Sequence, residues 1–475
     1  MKIGIHIYLL AALLCSAIAC NKSNGDVDPD TPPELPVKVW TTSGNEVNLL
    51  YYKTIDYAAG FDERFPEITI TPAETLQVVD GFGYTLTGGS AMLLNQMEDN
   101  ARMELLKEFF GNSSNSINVS YLRVSIGASD LDPVVFSYND LPAGMNEDLQ
   151  LQQFSLSRDT LHLIPVLKEI LALNPDIKIM GSPWSPPVWM KSNKNSVGGN
   201  LNPQHYSVYA QYFVRYIQAM KAHGITIDAI TPQNEPQHGG NNPSLVMSAA
   251  QQTDFIKNHL GPAFQAAGIN TKIVVWDHNC NRPDYPIAIL DDPAAKAFVH
   301  GSAFHLYEGD VSALTQVHQA HPDKALYFTE QWTGSNSSFD GDLKWHIKNV
   351  IIGTMRNWSG VALEWNLAND PGFGPHTPGG CTQCKGAVTI DGSIATKNVS
   401  YYIIGHASKF VPPGSIRIGS SVPAGLNNVA FMTPEGKYVL IVLNESATLQ
   451  SFNIHVGDRW ITASLHPSTV GTFVW

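Results

Sequence analysis

Two glutamates stand where an apolar segment gives way to polar residues. Glu235 lies in the polar segment 231–236, which comes after an apolar stretch, and Glu330 follows the apolar stretch 326–329. A carboxyl group at such a point must be solvated, paired with a cation or used in chemistry. Two carboxyl groups that face each other can cleave a glycosidic bond: one protonates the departing oxygen, and the other attacks the sugar or activates water. The alternative interpretation is a pair of surface glutamates.

The segments around these glutamates predict the frame that positions them. Between residues 80 and 408, short apolar segments alternate with stretches whose apolar residues recur every three to four positions, the pattern of a parallel α/β fold. The predicted strands are 81–87, 120–126, 177–183, 228–233, 272–277, 299–306, 325–329 and 361–366. Helices are predicted at 101–110, 205–223, 249–267 and 343–358. Eight such units indicate a (β/α)8 TIM barrel.

The barrel gives the two glutamates a shared location. Glu235 ends the fourth predicted strand and Glu330 the seventh. Catalytic groups of such barrels project from the carboxyl ends of the strands, and strands four and seven lie on opposite sides. The two side chains are therefore expected to face each other across the mouth.

Both ends of the chain carry the period-two pattern of strands. It occurs in 37–79, before the barrel, and again from 409 to 475, where the predicted strands are 429–432, 438–443, 451–456 and 470–475. Because chain ends often lie close together, we expect a β-sandwich domain assembled from both ends.

The first residues have the features of an export signal. Lys2 precedes the apolar run 3–14, and small residues stand before Cys20. Residues 1–19 are predicted to be a signal peptide, since the apolar run is short for a membrane-spanning helix. Cys20 and the polar, Pro-rich tether 20–36 resemble a bacterial lipoprotein signal, so we expect a lipid anchor at the cell surface or outer membrane. Cleavage at an ordinary A-x-A site, followed by secretion or periplasmic release, is the alternative.

Composition narrows the class of ligand. The chain has 42 acidic and 29 basic residues and a formal charge of −13, which disfavours nucleic acid and anionic membrane surfaces. Aromatic residues reach 10% while charged residues make up 15%, a mixture that suits neutral ligands with apolar faces, such as sugars. The sequence has no H-E-x-x-H motif and no P-loop. No cofactor and no metal site is predicted.

The C-x-x-C pair at Cys381 and Cys384 lies in a Gly/Pro-rich stretch. A single pair cannot fill a four-ligand zinc site. In an exported protein it favours a local disulfide that stiffens the loop, with a redox pair as the alternative.

An ordered series of motifs makes the chain resemble glycoside hydrolase family 30, the group of glucocerebrosidase and β-1,6-glucanases. The motifs are Asp80-Gly81-Phe82-Gly83, Arg123-Val124, Ala128-Ser129-Asp130, residues 182–187, Asn234-Glu235-Pro236, His305-Leu306-Tyr307, Glu330, Trp365-Asn366-Leu367 and residues 405–410. The resemblance runs from about residue 78 to the C-terminus and implies the same fold, a barrel joined to a β-sandwich.

The resemblance also implies residue roles. Glu235 would be the general acid/base, Glu330 the nucleophile of a retaining double displacement, and Asn234 the partner of the sugar 2-hydroxyl. Four further positions would line the sugar pocket: Asp130, Trp184, Trp365 and Asn366. For the two tryptophans, core packing is the alternative.

Three residues are expected to support the glutamates. Arg123 could hold Glu330 ionised or form a plain structural ion pair. His305 and Tyr307 could bind and orient at the mouth, or be hydrogen-bonded residues without a catalytic role.

The chain departs from the lipid-cleaving branch of that family at Tyr84 and at the loop 375–385 with its cysteine pair. We therefore expect an endo-β-1,6-glucanase acting on extracellular polysaccharide, as a monomer. Alternatives are a glucosylceramidase or exo-acting β-glucosidase, and an inactive surface glycan-binding lipoprotein.

Overall fold

The computed structural model describes residues 36–58 and 60–475. The predicted signal peptide, Cys20 and nearly all of the tether lie outside the described residues. Within the described ranges, no helix is long and apolar enough to cross a membrane.

A closed barrel of eight parallel strands forms the centre of the fold, and each strand pairs with its neighbours in chain order. The strands are Gly81–Thr85, Tyr121–Ser125, Lys178–Ser182, Ala229–Ile230, Lys272–Asn279, Val299–His305, Ala325–Glu330 and Ser359–Asn366. The predicted TIM barrel is confirmed. The fourth strand is shorter than predicted. After the Thr231 N–H bonds the Gly181 carbonyl, Pro232 has no N–H to continue the ladder.

The barrel interior is a packed core and not a pore. Its cluster contains one or two buried side chains from seven of the eight strands. They are Tyr121, Met180, Ala229, Val274, Ala303, Tyr327, Val361 and Leu363. This filling closes the interior, and in barrels of this kind the functional side chains lie at the carboxyl ends of the strands.

Helices surround the barrel, and most of them bury one face, whereas Val399–Ser408 is buried on all sides. The helix Leu163–Leu173 shows the rule: its buried residues include Leu163, Val166, Leu167 and Ile170, at helical spacing. The α-helices of four or more residues are Gly88–Gln96, Asp99–Phe110, Leu163–Leu173, Tyr206–Ala222, Ala249–Phe255, Gly261–Ala266, Asp284–Leu290, Pro293–Lys296, Ala313–Ala320, Phe339–His346 and Val399–Ser408. Two of the predicted helices continue through π-helical turns, Ile256–Leu260 and Ile347–Gly353.

Nine strands from both chain ends form one sheet, with antiparallel and parallel pairs, and make the second domain. In chain order they are Val37–Ser43, Tyr51–Ile55, Glu67–Val78, Ile416–Ser420, Leu426–Met432, Tyr438–Asn444, Gln450–Val456, Arg459–Leu465 and Thr469–Val474. The first strand pairs with the last, which confirms a domain built from both ends. Phe452 and Phe473, from separated strands, meet in its core with ring centroids 5.9 Å apart. The sheet therefore folds over itself as a sandwich.

His406 joins the barrel to the sandwich. It lies on the last helix, Val399–Ser408, and is fully buried. Its Nε2 lies 2.8 Å from the Thr42 hydroxyl and its Nδ1 2.9 Å from the Thr472 hydroxyl, so one ring contacts both chain ends. Burial lowers its pKa to about 3, and the ring is neutral at physiological pH.

Candidate active site

The carboxyl ends of the barrel strands bring the two predicted glutamates together. Glu330 is the last residue of the seventh strand, and Glu235 lies five residues beyond the fourth. Both side chains are almost buried, at 6% and 8% exposure. Glu235 has a positive φ of 45°, uncommon for a residue with a Cβ, and its N–H bonds the carbonyl of Asp277. The backbone is thus held in a strained form that turns this carboxylate toward the barrel axis.

His305, the last residue of the sixth strand, lies between the glutamates. Its Nδ1 is 3.2 Å from Oε1 of Glu235 and 3.8 Å from Oε1 of Glu330. These two oxygens can be no farther apart than the sum of the two distances. This upper limit excludes most of the separation of about 6.5–9.5 Å that is found between the two carboxyl groups of inverting glycosidases. It allows the separation of about 5–5.5 Å that is found in retaining glycosidases.

Arg123 binds the other side of Glu330. The guanidinium is fully buried, donates from Nη1 to Oε2 of Glu330 at 2.6 Å and from Nη2 to Oδ1 of Asn234 at 2.5 Å. It also lies over the ring of Trp184, 4.8 Å from the centroid. The bond to Asn234 fixes the direction of that amide, with its oxygen toward the cation and its N–H2 group turned away.

Asp277 is the residue that sequence reasoning missed. Its carboxylate is fully buried and accepts hydrogen bonds from five side chains on other strands or just after them. The donors, with distances, are Arg123 Nη2 (2.8 Å), Ser182 Oγ (2.7 Å), Thr231 Oγ1 (2.8 Å), His305 Nε2 (3.1 Å) and Thr329 Oγ1 (2.7 Å). Asp277 therefore ties together barrel strands two to seven directly beneath the glutamates. Its place at the end of a predicted strand was the available signal.

His278 is a second residue that sequence reasoning missed. Its Nδ1 lies 3.4 Å from Oε1 of Glu235. Neighbouring residues of a regular strand face opposite sides, so in a regular strand His278 would turn away from Asp277. Trp276 and Asp277 have φ of 74° and 59°, and the pairing register shifts between Trp276 and His278. This bulge directs both side chains into the site.

The charges around the glutamates shift their pKa values in opposite directions. Burial raises the pKa of Glu330 and the charge of Glu235 adds to this, against the lowering effect of His305 and Arg123. For Glu235 burial also acts upward, but the neighbouring imidazoles of His278 and His305 outweigh it and hold the pKa below its usual value. His305, although buried, has its pKa raised to about 9 by Glu330, Asp277 and Glu235.

These shifts locate the proton that an acid catalyst needs. Burial is outweighed at Asp277 by Arg123 and His305, which lower its pKa, so Asp277 is ionised and accepts the Nε2 proton of His305. The opposite ring nitrogen faces Glu235. The site thus holds its exchangeable proton at the Glu235–His305 hydrogen bond. Tyr307 donates its hydroxyl to Oε1 of Glu330 at 2.9 Å.

The structure also locates the four residues that were predicted to line the sugar pocket. Trp184 and Trp365 pack with ring centroids 5.4 Å apart, and both lie within about 6 Å of the Arg123 guanidinium. Asp130 is buried, and burial together with the charges of Glu330 and Glu235 raises its pKa to about 7. Asn366 ends the eighth strand, but its Nδ2 bonds the carbonyl of Ala368. The structure does not link Asn366 to the glutamates.

A disulfide joins Cys381 to Cys384, with Cα atoms 5.8 Å apart. The Cys381 N–H bonds Oδ2 of Asp130 at 3.2 Å. The strand Cys384–Lys385 pairs with Thr333–Gly334, which follows Glu330 closely. This loop therefore connects the segments after strands two, seven and eight at the mouth of the barrel.

Comparison with known proteins agrees with this geometry. Residues 79–411 match the model of the glycosyl hydrolase family 30 TIM-barrel domain, and residues 414–473 match that of the family 30 beta sandwich domain. The chain is 34% identical over 395 residues to an endo-1,6-beta-D-glucanase of Neurospora crassa, covering 79% of this chain and 80% of that protein.

Two further relatives show the range of activities named for proteins that are similar to this chain. The solved structure of the endo-beta1,6-glucanase BT3312 superposes with a TM-score of 0.87 at 36% identity, covering 93% of this chain and 99% of that one. The mouse (Mus musculus) lysosomal acid glucosylceramidase is 29% identical over 86% of this chain and 83% of its own length.

Proposed function

The chain belongs to glycosyl hydrolase family 30, and from this premise we propose that it is a retaining endo-β-1,6-glucanase in which Glu330 is the nucleophile and Glu235 the acid/base. It is a glycoside hydrolase, and the site must therefore break a bond between a sugar C1 and a leaving oxygen. The observation that supports these two roles is the environment of each carboxylate. A permanent cation and a phenol bind Glu330, whereas two imidazoles adjoin Glu235.

In the first step, a carboxylate oxygen of Glu330 forms a bond to C1 as the C1–O bond breaks. Glu235 passes the proton that it shares with His305 to the leaving oxygen, so the departing chain leaves as an alcohol. Arg123 and Tyr307 donate to Glu330 and orient it, and the charge of Arg123 opposes the burial that raises its pKa. His305 hydrogen-bonds Glu235 and keeps the exchangeable proton at that end of the site.

In the second step, Glu235 takes a proton from water while the water oxygen bonds C1 and the Glu330–C1 bond breaks. We propose that Asn234 donates to the sugar 2-hydroxyl, since its bond to Arg123 turns its N–H2 group away from that cation. That bond strengthens as positive charge develops at the ring. Retention of configuration follows from the two displacements.

The substrate assignment depends on the relatives. Three fungal proteins named endo-1,6-beta-D-glucanase are 33–34% identical over 79–84% of this chain, and the BT3312 glucanase is 36% identical. For a β-1,6 chain, the O6 of the sugar at the cleavage point must continue into the next sugar. We therefore propose an open path near O6, with the leaving-group side shaped by the disulfide loop 373–385.

The size of the early products tests this proposal. Incubation with a linear β-1,6-glucan should release a spread of oligosaccharides first and glucose late. The matched control is a linear β-1,3-glucan at equal concentration, which should be cut far more slowly. Glucose alone from the first minutes would contradict endo action.

A glucosylceramidase is the second candidate, because four proteins with that name are 29% identical over 81–91% of this chain. Both activities need the same retaining pair, so the glutamates do not separate them. A rate on glucosylceramide that exceeds the rate on the β-1,6-glucan would favour this candidate.

We also propose that the mature protein is an exported monomer with a lipid on Cys20. The support for export and lipidation is the sequence of residues 1–36. The wild type should partition into detergent, and Cys20→Ala should release a soluble protein, since acyl chains supply the membrane affinity. A free N-terminal Cys20 by mass spectrometry would favour simple secretion. Light scattering of the Cys20→Ala protein would test the monomer.

A further inference from the structure

Three side chains converge at the acid/base end of the site. Oε1 of Glu235 and one ring nitrogen each from His278 and His305 all lie within 4.8 Å of one another. We propose that this trio binds a divalent transition-metal ion, with Zn²⁺ as the type case, and that the ion acts as a reversible inhibitor. The inhibition depends on the proposed role of Glu235, whereas the binding does not.

The distances fit a tetrahedral ion. With bonds of about 2.0–2.2 Å to nitrogen and oxygen, neighbouring ligand atoms of a tetrahedral zinc site are about 3.3 Å apart. Oε1 of Glu235 lies 3.4 Å from Nδ1 of His278 and 3.2 Å from Nδ1 of His305. Two edges of the tetrahedron are already formed, and a small rotation of one imidazole would close the third.

The buried ring nitrogen Nδ1 of His278 is available to bind a metal ion. The residue is 92% buried, since its exposure is 8%, and its Nδ1 makes no hydrogen bond to any of the described residues that meets standard geometry. An unsatisfied buried nitrogen costs free energy unless something binds it. Its ring packs edge-on against Trp276, with centroids 5.0 Å apart. The ring is thus held with its Nδ1 toward Glu235.

His305 has the support that metal-binding histidines have in proteins. Its other nitrogen, Nε2, lies 3.1 Å from the carboxylate of Asp277. A carboxylate behind a histidine fixes the ring orientation and makes the ligating nitrogen a better donor of electrons. Asp277 is itself held by four further hydrogen bonds. Little ordering is therefore needed for His305 to bind an ion, and binding releases to solvent the proton that His305 shares with Glu235.

The ligand chemistry selects the ion. Two imidazoles and one carboxylate suit Zn²⁺, Ni²⁺ or Cu²⁺, whereas Ca²⁺ and Mg²⁺ require six or more oxygen ligands. An ion on Oε1 of Glu235 occupies the position from which that carboxylate must deliver its proton. Bound metal should therefore stop cleavage of substrates whose leaving group needs protonation.

Calorimetric titration of the tag-free protein with zinc chloride tests the binding without any substrate. One high-affinity Zn²⁺ per chain is expected, and His278→Ala should weaken it at least tenfold. The matched control is His223→Ala, at the end of the helix Tyr206–Ala222, which should bind like wild type. Cobalt(II) should give the intense visible absorption of a four-coordinate site in wild type and lose it in His278→Ala.

Two outcomes would overturn the proposal: absence of Zn²⁺ binding by wild type, or equal affinity in wild type and His278→Ala. His278→Gln serves as a second variant if the alanine protein does not fold. Inhibition is then measured as the zinc concentration that halves each variant's own rate, with Mg²⁺ as the inert comparison and chelation to restore the rate. Stoichiometric binding without inhibition would refute only the role of Glu235 and leave the metal site standing.

Discussion

The variant Asp277→Asn tests whether the charge of Asp277, and not only its burial, is needed to hold the side chains around it in place. The amide has the same shape but no charge, and one of its two ends must present N–H2. The Arg123 guanidinium can only donate, so the amide oxygen should take the place of Oδ2 and the N–H2 group should face Thr329 and His305. The Thr329 hydroxyl can turn and accept. The His305 Nε2–H cannot accept, and its bond is lost.

The size of the effect follows from these contacts. A hydrogen bond to a charged group contributes about 1.5–3 kcal/mol, and breaking a buried ion pair costs about 3–5 kcal/mol. Arg123 keeps Glu330 as a counter-charge, so we expect a total near 3–5 kcal/mol. For a folded unit of this size that is about 3–6 °C in Tm. The rate should fall at least about a hundredfold, because His305 loses the bond that fixes its tautomer beneath Glu235.

Asp159→Asn is the matched control. Asp159 is also buried, but it accepts from the neutral hydroxyl of Tyr138 at 2.5 Å, and burial raises its pKa to about 7. The stability that its protonated form contributes is present below the unfolded pKa of about 3.9 and is lost as pH rises through about 7. Asn has no such loss. The Tm of the variant should therefore exceed that of wild type by more at pH 8 than at pH 6.

Thermal scans at one heating rate, at pH 6 and pH 8, measure both variants, with the initial rate on a β-1,6-glucan as the second reading. Equal Tm values for Asp277→Asn and Asp159→Asn at pH 6 would refute the account of Asp277. So would a wild-type rate in a folded Asp277→Asn protein.

Three further predictions concern other parts of the molecule. Glu330→Gln should abolish turnover on every substrate, whereas Glu235→Gln should still form the glycosyl-enzyme from an aryl β-glucoside with a good leaving group; equal losses in the burst phase would contradict these roles. The pKa of His406 is lowered in the folded protein, so only the unfolded chain takes up a proton there as the pH falls below about 6.5. The free energy of unfolding of wild type should therefore fall by about 1.4 kcal/mol per pH unit, and that of His406→Gln should fall less between pH 7 and 5. Parallel profiles of Tm against pH for the two proteins would contradict this. Replacing both Cys381 and Cys384 by Ser should raise KM for the polysaccharide several-fold, because the loop must then be ordered on binding, and an unchanged KM would exclude that role.

The sequence carried enough information to predict the barrel and the sandwich because both depend on local periodicity. Two sandwich strands were nevertheless missed. Ile416–Ser420 is short and lies between glycines, and Arg459–Leu465 follows a two-residue turn that hides its boundary. Ile416–Ser420 also pairs with Glu67–Val78, far away in the chain, and a local pattern does not reveal such a partner.

The site shows the same limit at the level of side chains. Glu235, Glu330 and Arg123 could be found because each closes an apolar strand or matches a family motif. Asp277 required knowing that five donors from other strands meet at one point, which is a property of the closed barrel. His278 required a bulge that reverses the facing rule for one residue. Nothing in the local sequence predicts that reversal.

The anomeric form of the first product tests the central claim most directly. Proton NMR of a concentrated reaction on a linear β-1,6-glucan, followed before mutarotation equilibrates the anomers, should show new β reducing ends appearing first and α ends only later. This is the result required by attack of Glu330 on C1, followed by attack of water from the opposite face, which the leaving group has vacated. New α reducing ends from the outset would contradict the assignment of Glu330 and Glu235.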